Sequence, residues 1–111
     1  MAGLDPVIGS EQGGTRPVVI VQNDMGNLHA PTVIVIPFTG SAHKPPLPTH
    51  AAIAQGEAGL WRDSIALCEQ VRTVEKTRLG RRLGSLSPQS LRAVERALQV
   101  SLDMACADGE P

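Results

Sequence analysis

The chain has 111 residues, 41% of them hydrophobic and 19% charged. That length suits one domain, able to bury roughly two thirds of the surface its unfolded form exposes. Ten basic and eleven acidic residues leave a net charge of −1, a balance that argues against a general polyanion binder. Phe38 and Trp61 are the only aromatic residues, so the core has to be aliphatic. An array of bases stacked on several rings of one chain is excluded with it.

No stretch reaches the roughly 20 apolar residues of a membrane span, and the first residues lack the basic and apolar regions of a signal peptide. Cys68 and Cys106 stand alone, with no CxxC. The expectation is a reduced, cytoplasmic protein. Cys68 is read as a small buried hydrophobe in a strand, and Cys106 as an exposed thiol.

In chain order, residues 9–17 read as a glycine-flanked hairpin loop leading into a strand. Residues 17–22, Pro-Val-Val-Ile-Val-Gln, and 32–37, Thr-Val-Ile-Val-Ile-Pro, are β-branched runs suited to buried strands. Asn23 to Asn27 between them is turn chemistry, so the pair predicts a hairpin. The Pro-rich piece 45–48 cannot be a central strand and is read as a loop rather than a PxxP ligand. Gly56 to Trp61 predicts a turn, and residues 64–74 a third, longer strand. Ile65, Leu67, Val71 and Thr73 share one parity there, with a bulge expected near Glu69 and Gln70.

Ser87-Pro88 opens the clearest helix, since Ser caps well and Pro is favoured at the first helical position. Leu91, Val94, Leu98 and Leu102 then form a stripe read as core packing, with the helix running to about residue 103. Residues 1–104 are expected to form a single domain and 105–111 a flexible tail. The class is mainly β with a C-terminal helix, and several short strands in so short a chain suggest a small, partly open barrel.

The loop Gly9-Ser10-Glu11-Gln12-Gly13-Gly14-Thr15-Arg16 is no P-loop, because no Gly-Lys-Ser/Thr follows, and no dinucleotide loop, because no helix follows. Arg16 is the only Arg in the β-rich half. Held at a strand start, its fork of donors matches a phosphate; the bland reading is a surface Arg in a weak salt bridge. His29, His43 and His50 have no metal-ligand spacing with another His, Cys or carboxylate, and no nucleophile elbow is present.

Together these segments resemble one family. Leu4-Asp5-Pro6, Gly9-Ser10-Glu11-Gln12-Gly13-Gly14, Arg16-Pro17-Val18-Val19 and Gln22-Asn23-Asp24 are similar to the signature of the MazF/PemK toxins. Asn27, Pro31 to Val35, Leu47-Pro48-Thr49-His50, Asp63-Ser64, Leu67, Glu69-Gln70-Val71-Arg72-Thr73, Leu79-Gly80 and Leu98 to Leu102 continue the resemblance to the end of the helix. The family pattern has a further strand before Ala2, so the chain is expected to begin one strand into it and to leave a sheet edge open.

The resemblance implies a bacterial toxin of a toxin–antitoxin pair. Its fold would be an SH3-like PemK/CcdB barrel, homodimeric, with single-stranded RNA along the dimer groove and a MazE-like antitoxin covering that groove. The implied activity is sequence-specific, metal-independent endoribonuclease action on mRNA without a cofactor, leaving a 2′,3′-cyclic phosphate and a 5′-hydroxyl. The family's catalytic Arg falls on Arg16 and its Thr on Thr39. Glu11 becomes a candidate base or base-edge reader, or else a structural cap of its loop. Ser10, Glu11, Gln12 and Gln70 become candidate RNA contacts, reading bases by polar edges. A CcdB-like gyrase poison on the same fold would not need Arg16 and Thr39 together. An inactive toxin that only binds an antitoxin or DNA is the third reading.

Overall fold

In a computed structural model, residues 7–11, 16–21, 29–40 and 47–104 are described, with residues 7–11 described in backbone only. Several expectations lie outside the described residues: Leu4 to Pro6, Gln12, the turn at Asn23 to Asn27, His43, Pro45 and Pro46, Cys106 and the tail 105–111. The elements are β1 (Val7–Glu11), β2 (Pro17–Ile20), β3 (Thr32–Thr39), β4 (His50–Ile53), β5 (Ser64–Leu67), β6 (Arg72–Glu75), β7 (Leu79–Ser85) and helix α1 (Pro88–Ser101). Short 3-10 turns at Glu57–Gly59, Cys68–Gln70 and Lys76–Arg78 join the later strands.

All pairings are antiparallel, in the order β4-β5-β3-β2-β1-β7, with β6 also on β3. The expected hairpin is β2 and β3, in the register Val18↔Pro37, Val19↔Ile36 and Ile20↔Val35. Strand β3 does not stop at Pro37. It continues two residues because Phe38 pairs with Ala66 and Thr39 with Ile65 on β5, while the Phe38 ring is buried. Pro37 removes one donor but its fixed φ suits an extended chain.

Strand β3 is buried on both faces from Val35 to Phe38, while Ile34 is exposed. Ile36 and Phe38 join Val19, Val21, Ala51, Ile53, Leu60, Ala66, Cys68, Val94 and Ala97 in the main core. Val33 and Val35, on the opposite parity, pack with Val18 and Val74 in a second cluster. A strand covered on both sides has no polar face to show, which explains its continuous apolar run.

Three expectations are corrected. The strand expected over 64–74 is two strands, β5 and β6, parted by the 3-10 turn at Cys68–Gln70. The break falls where Glu69 interrupts the alternation, and it changes the parity. Ser64, Ala66, Leu67 and Cys68 are buried, Val74 is buried beyond the turn, and Thr73 is exposed. The turn is held by Cys68 N–H to the Thr49 carbonyl (3.0 Å). The Glu69 carboxylate also accepts from the Thr49 hydroxyl (3.3 Å) and meets His50 Nε2 (3.2 Å). Burial tends to raise the Glu69 pKa, but its own backbone N–H, His50 and Thr49 outweigh this and leave it below the usual carboxylate value.

The second correction concerns residues 9–11, expected in a loop. They form the end of β1, which pairs with β2 on one side and, through two irregular steps, with β7 on the other. Neither β4 nor β7 is evident locally. The ladder to a neighbour makes β7 a strand despite Gly80, Gly84 and two consecutive Arg, residues poor in β propensity.

The third is the end of the helix. Ser87 accepts from Ser90 N–H (3.2 Å) and Pro88 takes the first turn, as expected. Val94 and Ala97 carry the burial, with Leu91 and Leu98 half-buried. The helix stops at Ser101, and Leu102 is 50% exposed, because Asp103 turns the chain through a left-handed φ of 56°. Cys68 is buried as expected, although in the turn rather than in a strand, with its thiol 3.7 Å from the Val94 carbonyl. Burial, and then the Glu69 charge, push that thiol up to about 12, so it is an inert packing group. Among the described residues, no helix is long and apolar enough to cross a membrane.

Glu57 ties the loop before β5 to α1. Its carboxylate accepts from Ser87 N–H (3.0 Å) and from the Ser90 hydroxyl (2.9 Å) at the positive end of the helix. Burial raises its pKa, but the bonds from Ser90 and Ser87 prevail and lower it from 4.5. Because the folded value lies below the unfolded one, the stabilisation is complete above pH 4.5 and is lost as pH falls through the folded value. We expect Glu57→Ala to cost about 1 kcal/mol at pH 7, and thermal melts should show this deficit shrinking as pH falls below the unfolded value.

Candidate active site at the junction of β2, β3 and β5

Arg16 immediately precedes β2, and Thr39 is the last residue of β3. The antiparallel β2–β3 register ends at Val18↔Pro37, and Arg16 and Thr39 each lie two residues beyond that pair, at the same end of the hairpin. The hairpin therefore brings the two together although 22 positions separate them in the chain, the difference between 39 and 16 less one. Ser10 pairs with Pro17, so the end of β1 reaches the same point.

The other wall is the loop from Gln55 to Ser64. It turns through three positive φ values, Gly56 (91°), Ala58 (55°) and Gly59 (79°). Gly59 is required twice over, since a Cβ there would lie 2.6 Å from the Leu83 carbonyl oxygen. Gly56 N–H reaches the Leu60 carbonyl (2.8 Å), and Gln55 N–H reaches Asp63 Oδ1 (2.8 Å). Ser64, buried at the start of β5, donates its hydroxyl to the Arg62 carbonyl (3.1 Å). Leu60 is buried in the main core and anchors the loop. This leaves Trp61 and Arg62 projecting beside the end of β3.

The result is an open cavity of about 440 Å³ lined by Arg16, Pro17, Phe38, Thr39, Gly40, Leu60, Trp61, Arg62 and Ser64. Its lining combines the apolar Pro17, Phe38, Leu60 and Trp61 with two guanidinium groups and the hydroxyls of Thr39 and Ser64. Arg16 and Arg62 are exposed, and among the described residues neither pairs with a carboxylate. Gly40 gives Arg62 its path, because a Cβ at position 40 would lie 2.5 Å from Arg62 Cδ. Two forked cations converging on a small cavity suit a phosphate group. Among the described residues, no three His, Cys, Asp or Glu side chains come together as metal ligands.

The family profile described as "PemK-like, MazF-like toxin of type II toxin-antitoxin system" matches residues 1–102. The chain belongs to this family. A curated relative, Endoribonuclease MazF of Staphylococcus saprophyticus, is 48% identical over 104 residues, covering 94% of this chain and 87% of the relative. Among solved structures, Mycobacterium tuberculosis toxin MazF-mt6 superposes with a TM-score of 0.81 at 26% identity, covering 90% of this chain and 99% of the other. The MazE-MazF crystal structure from Deinococcus radiodurans gives 0.75 at 16% identity over 95% of this chain and 100% of that one, a likeness of fold.

Within this PemK/MazF-like toxin the predicted residues do not all share one place. Arg16 and Thr39 line the cavity together. Ser10 and Glu11 sit on β1 next to β2, with their side chains outside the described residues, as is Gln12. Gln70 is exposed on the 3-10 turn after β5 and is not part of the cavity lining. Sequence reasoning passed over Trp61 and Arg62. The available signal was a lone Trp beside Arg, in a polar stretch just after a glycine-rich turn.

The two glycines of the site predict opposite behaviour. Gly40→Ala crowds only the movable stem of Arg62 and should shift the melting temperature by less than about 2 °C. Gly59→Ala meets a backbone carbonyl at a left-handed φ and should cost about 2–4 kcal/mol, visible as a fall of roughly 10 °C or more in thermal unfolding.

Proposed function

We propose that this chain is the toxin of a type II toxin–antitoxin pair and acts as an endoribonuclease on single-stranded RNA, mainly mRNA, in the bacterial cytoplasm. The observation that carries this reading is the meeting of Arg16 and Thr39 in one cavity, in a chain 48% identical to an Endoribonuclease MazF. A CcdB-like poison has no use for that pair. The working form is a homodimer with the substrate in the groove between protomers, and a MazE-like antitoxin inhibits it by covering that groove. Residues 1–104 act as one domain.

The chemistry needs no protein nucleophile. A ribose 2′-hydroxyl attacks its own 3′-phosphate, forming the new O–P bond as the bond to the 5′-oxygen breaks. The proton lost by the 2′-hydroxyl goes to a base, and the leaving oxygen takes one from an acid. The products are a 2′,3′-cyclic phosphate and a 5′-hydroxyl. Arg16 is protonated at rest and so a poor base; it stabilises the charge that grows on the phosphate and can lend a proton to the leaving 5′-oxygen, regaining it from solvent after the bond breaks. The Thr39 hydroxyl donates to a phosphate oxygen. Glu11 takes the role of base, and Ser10, Gln12 and Gln70 read base edges along the strand. No step calls for a metal or cofactor.

Arg16→Ala should reduce cleavage at least about 100-fold while leaving circular dichroism and oligomeric state unchanged. Undiminished cutting by the folded variant would remove Arg16 from this role. Wild-type protein should cut equally well in EDTA; strict dependence on added magnesium counts against the mechanism. Arg62→Ala should weaken RNA binding and lower the slope of log affinity against log salt by about 0.7, the value for one lost phosphate contact on a single strand. Affinities measured over a salt series check this.

A further inference from the structure

We infer that Trp61 is the substrate-positioning ring of this cavity, receiving one nucleobase face-on beside the phosphate held by Arg16 and Arg62. The inference deepens the nuclease reading above and rests on it.

Trp61 is 78% exposed, the most exposed large apolar side chain among the described residues. An indole left in water forgoes a large burial gain, and Trp, with a wide apolar face and a polar edge, is a residue type enriched where a partner is met. Its position is not that of an accidental surface residue. Leu60 on one side is buried and fixed in the core, and Arg62 on the other crosses Gly40. The left-handed turn ahead of them is locked by Leu83 and by the Gly56–Leu60 hydrogen bond. The ring is therefore presented by a rigid loop at a cavity that also contains two cations and two hydroxyls. A cavity of about 440 Å³ falls in the ~300–1,000 Å³ range of small-ligand sites.

The composition of the site selects the ligand class. A flat π surface next to paired guanidinium groups matches a nucleotide, which is itself an aromatic base joined to an anion. A purely apolar protein partner would leave Arg16 and Arg62 unpaired, and a bare phosphate would leave the ring unused. Because every base has a π face, stacking here holds the strand in place and does not choose its sequence.

The chain has one Trp and no Tyr, so its intrinsic fluorescence reports this ring alone. The probe is a 2′-O-methyl oligonucleotide spanning the cleavage site mapped with wild-type protein, or a random-sequence pool if no site is found. Without a free 2′-hydroxyl it binds but cannot react. Binding should quench the emission, with the same midpoint as the anisotropy of a labelled probe. Trp61→Ala should raise KM for RNA roughly 5- to 150-fold, the range for one lost stacked base. It should leave kcat within about 3-fold and the cut-site sequence unchanged, and Trp61→Phe should recover most of the loss. Both variants are expected to fold, since the ring is exposed, and melting curves check that. Three results would overturn the inference: probe binding by anisotropy without any change in emission, wild-type KM in Trp61→Ala, or an emission shift driven by protein or antitoxin concentration without probe. The last would give the ring to a protein interface instead. If wild-type protein cuts no RNA, the nuclease reading fails, and the fluorescence titration decides the stacking inference separately.

Discussion

Strand β3 is the constraint on which the rest depends. It pairs with β2 along one edge and with β6 and β5 along the other, and both of its faces are covered. A strand held on four sides has one tolerated register, because a slip of one residue would exchange its two apolar faces and break three ladders at once. Fixing β3 fixes Thr39 at its end, and through the β2 register it brings Arg16 to the same end. The meeting of Arg16 and Thr39 is thus a geometric by-product of a strand buried over most of its length. This is how a site on an open surface acquires a rigid base.

The second wall is built from a different kind of interaction. The loop before β5 buries little apolar surface of its own beyond Leu60 and part of Ala58. It is held by backbone hydrogen bonds, by a glycine packed against a carbonyl, and by Glu57 reaching the first turn of α1. Neutral backbone bonds are worth about 1 kcal/mol each, so the loop depends on several acting together. Their joint effect sets Trp61 and Arg62 against the cavity at modest cost to the fold. The electrostatics follow the same economy. A chain with net charge −1 cannot attract RNA by its overall field, yet Arg16 and Arg62 concentrate positive charge where the two walls meet.

Much of this was legible from local chemistry. The β2–β3 pair announced itself by two β-branched runs, and α1 by Ser87-Pro88 and its apolar spacing. The break in the long strand was visible at Glu69, though its form was not, since a bulge and a 3-10 turn interrupt the alternation equally. Strands β4 and β7 left no local mark. His50 to Ile53 is too short, and Leu79 to Ser85 too rich in Gly and Arg, to look like strands before a partner supplies the ladder. Arg16 stood out as a lone Arg at a strand start and Thr39 was nameable through family resemblance, whereas Trp61 and Arg62 carried no motif and gained meaning only from the wall opposite them.

The sequence by itself determined the elements whose stability is local or whose apolar pattern is strong: the two central strands, the capped helix, the aliphatic core and the family to which the chain belongs. Only the tertiary structure decided that the ring of Trp61 stands at the cavity of Arg16 and Thr39. That proximity comes from β3 pairing with β2 at one edge and β5 at the other. Such contacts join residues far apart in the chain, and no local propensity encodes them.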